Sequence, residues 1–116
     1  MHEPVRTLVY TRRHPRARLD IPITQLAEHG PIEISLADIS ASGALLVDPL
    51  VPVFGEARVH VRIRLPGQTE EIEASGLVVR DVEEEGVRLV GIEFDVIANR
   101  ARELIVDFVK DRRGFG

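Results

Sequence analysis

Apolar residues recur in this chain at two spacings, and the change from one to the other divides it. The clearest alternation runs from Ala57 to Leu65, nine residues in which apolar and polar side chains take turns. That period of two is what a strand with one buried face requires. Pro66-Gly67 closes this strand, and Glu71-Ile72-Glu73-Ala74, continuing through Leu77-Val78-Val79-Arg80, predicts its hairpin partner, with Gly76 marking a bulge. Ile32-Glu33-Ile34-Ser35-Leu36 alternates in the same way, runs into Asp38-Ile39-Ser40, and is followed after Gly43 by a strand over Ala44–Val47. His29-Gly30-Pro31 marks a turn before it. A first strand is expected at Leu19–Ile23, where Pro22 lacks an amide donor and places it at an edge or at a strand's beginning. A last strand is expected at Val87–Phe94, after the acidic turn Glu83-Glu84-Glu85-Gly86. The spacing then becomes helical. Leu104, Ile105, Phe108 and Val109 share one face of a helix over about Arg100 to Lys110, with Asn99 as the expected cap.

Six strands with turn signals at regular intervals, closed by one helix, predict a mostly β fold: a six-stranded antiparallel β-barrel with a C-terminal α-helix. The length of 116 residues suits one domain with a single core. We expect that domain over residues 12–110, with a lead at 1–11 and a tail at 111–116. No apolar run approaches the roughly 20 residues that span a bilayer, and the first residues lack the apolar stretch of a secretory signal. The chain has no cysteine, hence no disulfide framework and no thiolate ligand or nucleophile. A cytoplasmic location is the expectation.

Charge changes the picture more than composition does. The net charge is −4, yet residues 1–18 hold five arginines (6, 12, 13, 16 and 18) against one acid, Glu3. The remainder carries ten basic and eighteen acidic residues. A basic arm on an acidic body suits a compact anion. A long nucleic acid would call for basic residues spread over a face, so no nucleic-acid partner is expected.

Two motifs stand out. Arg12-Arg13-His14-Pro15-Arg16 supplies an RxxxR, in a run over 12–18 that Pro15 keeps from being helical at His14, predicting an extended or turning loop. About twenty residues later Asp38-Ile39-Ser40-Ala41-Ser42-Gly43 supplies a DxSxxG, where one predicted strand hands over to the next. Taken singly, the first is most often a solvated basic segment and the second an ordinary Asp/Ser turn held by side-chain to backbone bonds. Taken together, in this order and spacing, and with Gly91-Ile92-Glu93-Phe94 leading into a helix, they resemble the PilZ domain family over roughly residues 10–110.

That resemblance implies a receptor for cyclic di-GMP, with Arg12 and Arg16 as the motif arginines, Asp38, Ser40 and Gly43 as the second motif, and Arg13 and Ser42 as secondary contacts. The chemistry suits the ligand. A guanidinium forks onto phosphate oxygens or onto guanine O6 and N7, and can lie flat on a base. A carboxylate accepts from guanine N1–H and N2–H, which arginine cannot do; a hydroxyl donates or accepts, and glycine permits close approach. The resemblance further implies an N-terminal arm that changes conformation on binding and a downstream protein partner. The alternative is an interaction adaptor that keeps the barrel without nucleotide.

An enzyme is not expected. His2, His14, His29 and His60 are scattered without metal-ligand spacing. Ser40 has no histidine in a triad pattern, and the glutamates at 70–73 and 83–85 read as solvated turns. Neither a catalytic residue, a metal nor a cofactor is expected.

Overall fold

The computed structural model describes residues 16–52 and 56–113, the side chains of 16–18 and 113 excepted. Six strands, β1 (Arg16–Ala27), β2 (Gly30–Ser40), β3 (Gly43–Val47), β4 (Arg58–Ile63), β5 (Ile72–Glu84) and β6 (Val87–Ile97), precede one helix, α1 (Asn99–Arg113). The strands close into an antiparallel barrel in the order β1-β2-β3-β6-β5-β4. This is the fold the periodicity predicts.

The alternation in β4 works as expected: Val59, Val61 and Ile63 point into the core while Arg58, His60 and Arg62 stay half exposed. Leu36, Ile39, Leu46, Ile72 and Val90 meet them from the other strands. Leu104, Ile105, Phe108 and Val109 of α1, with Ala101, complete this core, as the helix packs on β1, β2 and β5. Two polar contacts from the β4–β5 connection hold the helix in place: Gln68 Nε2 donates to the Leu104 carbonyl at 2.8 Å, and Arg100 pairs with Glu70 at 2.5 Å.

Several boundaries differ from the expectation. β1 begins at Arg16, so Arg16-Ala17-Arg18 belongs to a strand and not to the loop expected over 12–18. The polar–apolar alternation that starts there continues into Leu19 and Ile21, and β2 offers partners at Ser40, Ile39 and Asp38. Pro22 is tolerated in a closed ring because β1 meets β4 through Thr24↔Arg62 and Gln25↔Val61 alone, leaving much of that side of β1 without a strand partner among the described residues. The β5–β6 hairpin is longer than expected, closing on Glu85 (φ 51°) and Gly86 (φ 82°). Positive φ at both turn residues matches the right-handed twist of the strands. Asn99 is not the cap. The first helical bond runs from the Arg102 amide to the Ala98 carbonyl, which makes Ala98 the capping residue and Asn99 the first inside. The helix also continues to Arg113, with the Arg112 guanidinium 5.3 Å from the Phe108 ring centre. Gly76 does mark a bulge, although the extra residue is Asp95 on the facing strand.

Bidentate ion pairs lace the outer surface. Arg58 forks onto Asp95 at 2.6 and 2.7 Å, and Arg88 onto Asp81 at 3.0 and 2.8 Å. These hydrogen bonds hold Asp95 and Asp81 below the ordinary carboxylate range, and Arg100 does the same to Glu70. A depressed carboxylate adds stability above its unfolded value, about pH 4, and loses it as pH falls through the folded value. The stability gap between wild type and Asp95→Asn, followed by urea unfolding, should therefore shrink as the pH is lowered from 7 toward 3. Truncating a fully buried contact at the helix–barrel junction should cost far more than any exposed pair. Ile105→Ala is expected to lower unfolding free energy by about 2–5 kcal/mol in the same assay.

Candidate functional site

The β2–β3 turn carries the second motif, and its local structure is built by the motif's own side chains. Ser40 Oγ accepts a hydrogen bond from the Ser42 amide at 3.2 Å and lies 3.1 Å from Ser42 Oγ. The Ser42 carbonyl in turn accepts from the Phe94 amide at 2.9 Å, which ties the turn to β6. Gly43 has no positive φ, so its role is not to make a left-handed turn. A Cβ there would overlap the Ile92 carbonyl oxygen of β6. Glycine is needed at this position because another strand's backbone occupies the space.

Strand register then brings distant residues into rows across the sheet. One row runs Arg18, Asp38, Leu45, Gly91, Arg80 through β1, β2, β3, β6 and β5. The next runs Arg16, Ser40, Gly43, Glu93, Leu77. Between these rows the Ile39, Ala44 and Ile92 side chains turn inward and are buried. Gly43 and Gly91, side by side in the two rows without side chains, leave a recess of about 100 Å³ on the outer wall of the barrel. Asp38, Ser40, Ser42 and Gly43 line it on one side, and Val79, Arg80, Gly91 and Glu93 on the other. Register shifts flank it on both sides, at Ala37 in β2 and at Val79 in β5. Bulges of this kind re-aim neighbouring side chains.

Four of the expected site residues, Asp38, Ser40, Ser42 and Gly43, thus share one recess. It runs from the β2–β3 turn down the outer wall of the barrel. Arg16 stands opposite Ser40 in the backbone register. Its side chain, like Arg12 and Arg13 as a whole, lies outside the described residues. Reading the sequence missed Arg80, Gly91 and Glu93. Glu93 alternates with the buried Ile92 and Phe94 and so has the parity to face outward. Arg80 shares the inward parity of Ile72, Ala74 and Val78 and is turned outward only by the register shift at Val79. That shift and the β3–β6–β5 pairing are what set both residues facing the motif. No group of three or more potential metal ligands occurs among the described residues, and no described helix is long and apolar enough to cross a membrane.

Fold and site together define a class: a small closed antiparallel barrel, one helix packed against it, with a polar recess on its outer wall. Residues 10–111 match the family model of the PilZ domain, and the chain belongs to that family. No curated protein sequence matches it. Among solved structures it is similar to the inhibitor of motility MotI/DgrA of Bacillus subtilis, with TM-score 0.77 and 22% identity over 89% of this chain and 51% of that one. It is also similar to the PilZ domain of YcgR from Escherichia coli with c-di-GMP, with TM-score 0.61 and 16% identity over 88% of this chain and 91% of that one. A third is the PlzA protein of Borreliella burgdorferi in complex with c-di-GMP, with TM-score 0.61 and 17% identity over 91% of this chain and 44% of that one. The chain therefore spans about half the length of MotI and of PlzA.

The close approach at Gly43 makes a prediction that needs no ligand. Gly43→Ala forces β3 away from the β6 backbone and should lower stability by about 1–3 kcal/mol in urea unfolding, the usual cost of overpacking.

Proposed function

We propose that the protein is a cytoplasmic, non-enzymatic receptor for cyclic di-GMP, with Arg12, Arg16, Asp38, Ser40 and Gly43 as its principal contacts and Arg13 and Ser42 as secondary ones. The observation that supports this most directly is the convergence of Asp38, Ser40, Ser42 and Gly43 on one recess. Membership of the PilZ domain family supports it too, as does the similarity to YcgR and PlzA structures that contain c-di-GMP.

The site suits that ligand chemically. Asp38 supplies an acceptor for the guanine N1–H and N2–H donors. Guanidinium groups supply the opposite need, charge and paired donors for phosphate and for O6/N7. A recess of about 100 Å³ is shallow beside the ~300–1,000 Å³ of an enclosing ligand cleft. The rest of the enclosure has to come from elsewhere in the chain. In our reading the N-terminal arm, with Arg12 and Arg13 ahead of the β1 register at Arg16, folds over the ligand. Ordering of a segment by a bound anion is an established kind of switch, and the rearranged arm would signal through a protein partner.

Arg12→Ala and Arg16→Ala should each weaken cyclic di-GMP binding about tenfold or more, the scale of one bidentate guanidinium contact, with the circular dichroism spectrum unchanged. Isothermal titration of the purified variants measures this. Wild-type affinity in both variants would remove the two arginines from the site. No binding to the wild type would favour the barrel as a protein-interaction module instead.

A further inference from the structure

Most arginines on this barrel are already neutralised. Arg58, Arg62, Arg64, Arg88 and Arg100 each lie within 4.0 Å of a carboxylate. Arg80 is different. Its side chain makes no hydrogen bond or ion pair among the described residues, although it is exposed and Asp81 follows it in the strand. It lines the recess, and its Cβ stands 3.3 Å from where a Cβ on Gly91 would be. Its side chain therefore rises from beside the recess floor at the end remote from Asp38. Glu93, also exposed, lines the same wall.

Arg80 and Asp38 occupy one row, separated by β3 and β6. Three inter-strand steps set their backbones roughly 14 Å apart. A single base held at Asp38 does not cover that span, whereas a ligand with two bases joined through a two-phosphate ring extends across it. The chemistry at the far wall is again that of guanine. A guanidinium fork matches O6 and N7, and a carboxylate matches N1–H and N2–H. Adenine offers neither match, because its N6 amino group meets the guanidinium donors and its N1 is an acceptor facing the carboxylate. A carboxylate lining a phosphate site would also repel its ligand, so Glu93 fits a base edge better than a phosphate.

We propose that Arg80 and Glu93 form a second guanine-reading pair, which makes the recess selective for the base at each end of the dinucleotide. This rests on the cyclic di-GMP reading above and specifies which residues read the second base.

The test is titration of wild type, Arg80→Ala, Arg80→Lys and Glu93→Gln with cyclic di-GMP and with the mixed cyclic GMP–AMP, which keeps one guanine. Wild type should prefer cyclic di-GMP by about tenfold or more. Arg80→Ala, Arg80→Lys and Glu93→Gln should each lose about tenfold for cyclic di-GMP while changing little for the mixed ligand, so the preference collapses. Melting temperatures should stay at the wild-type value, because neither side chain is buried. Several results would overturn the proposal while leaving the functional reading intact: tight wild-type binding of both ligands alike, an undiminished preference in the variants, or full rescue by lysine, which supplies charge without the fork. Absence of any cyclic di-GMP binding by the wild type would instead overturn the functional reading itself.

Discussion

Everything at the site depends on how closely two strands approach β6. Gly43 of β3 and Gly76 of β5 sit against consecutive β6 carbonyls, those of Ile92 and Glu93, so closely that a Cβ on either glycine would overlap the oxygen. β6 is thereby gripped from both sides at the same level. The grip fixes the rows that carry Asp38 to Arg80 and Ser40 to Glu93. With Gly91 contributing a second position free of side chain, it also opens the recess between them. The same residues that allow the strands to close therefore create the space a ligand would use. Ser40 shows a similar economy: its hydroxyl holds the turn through the Ser42 amide while standing at the recess wall.

Charge is arranged around this frame with a consistent division. The acidic body expected from the sequence keeps its excess of carboxylates, while most of the described arginines are paired on the outer surface, Arg58–Asp95 and Arg88–Asp81 in bidentate fashion. Arg58 reaches Asp95 across β5 past Ser75, whose Oγ accepts from the same guanidinium at 3.3 Å, and the bulge at Asp95 brings the carboxylate to meet it. Pairs this exposed add little stability each, but they occupy cations that would otherwise compete for an anion. Arg80 escapes this pairing and stands in the recess.

Much of this was legible in the sequence, for definite reasons. A period of two in Ala57–Leu65 and Ile32–Leu36, and a helical period from Leu104 to Val109, report burial on one face. Burial on one face is enough to specify six strands and a helix in order. The spacing of Arg12, Arg16, Asp38, Ser40 and Gly43 was readable because each motif is local, lying within a few residues of chain. Boundaries set by hydrogen bonds between segments were less legible. Arg16–Arg18 joins β1 because β2 offers partners, and Ala98 caps α1 because its carbonyl lies where the Arg102 amide needs it.

The sequence by itself therefore determined the kinds of element, their order and the motif chemistry, since these follow from side-chain character and short-range spacing. Tertiary structure alone decided which strands distant in sequence are neighbours. β3 pairs with β6 across more than forty residues of chain, and that pairing sets Arg80 and Glu93 opposite Asp38 and Ser40. It also showed Gly43 to be a point of contact between the β3 and β6 backbones. Neither fact has a local signature, because both arise where two segments distant in sequence compete for the same space.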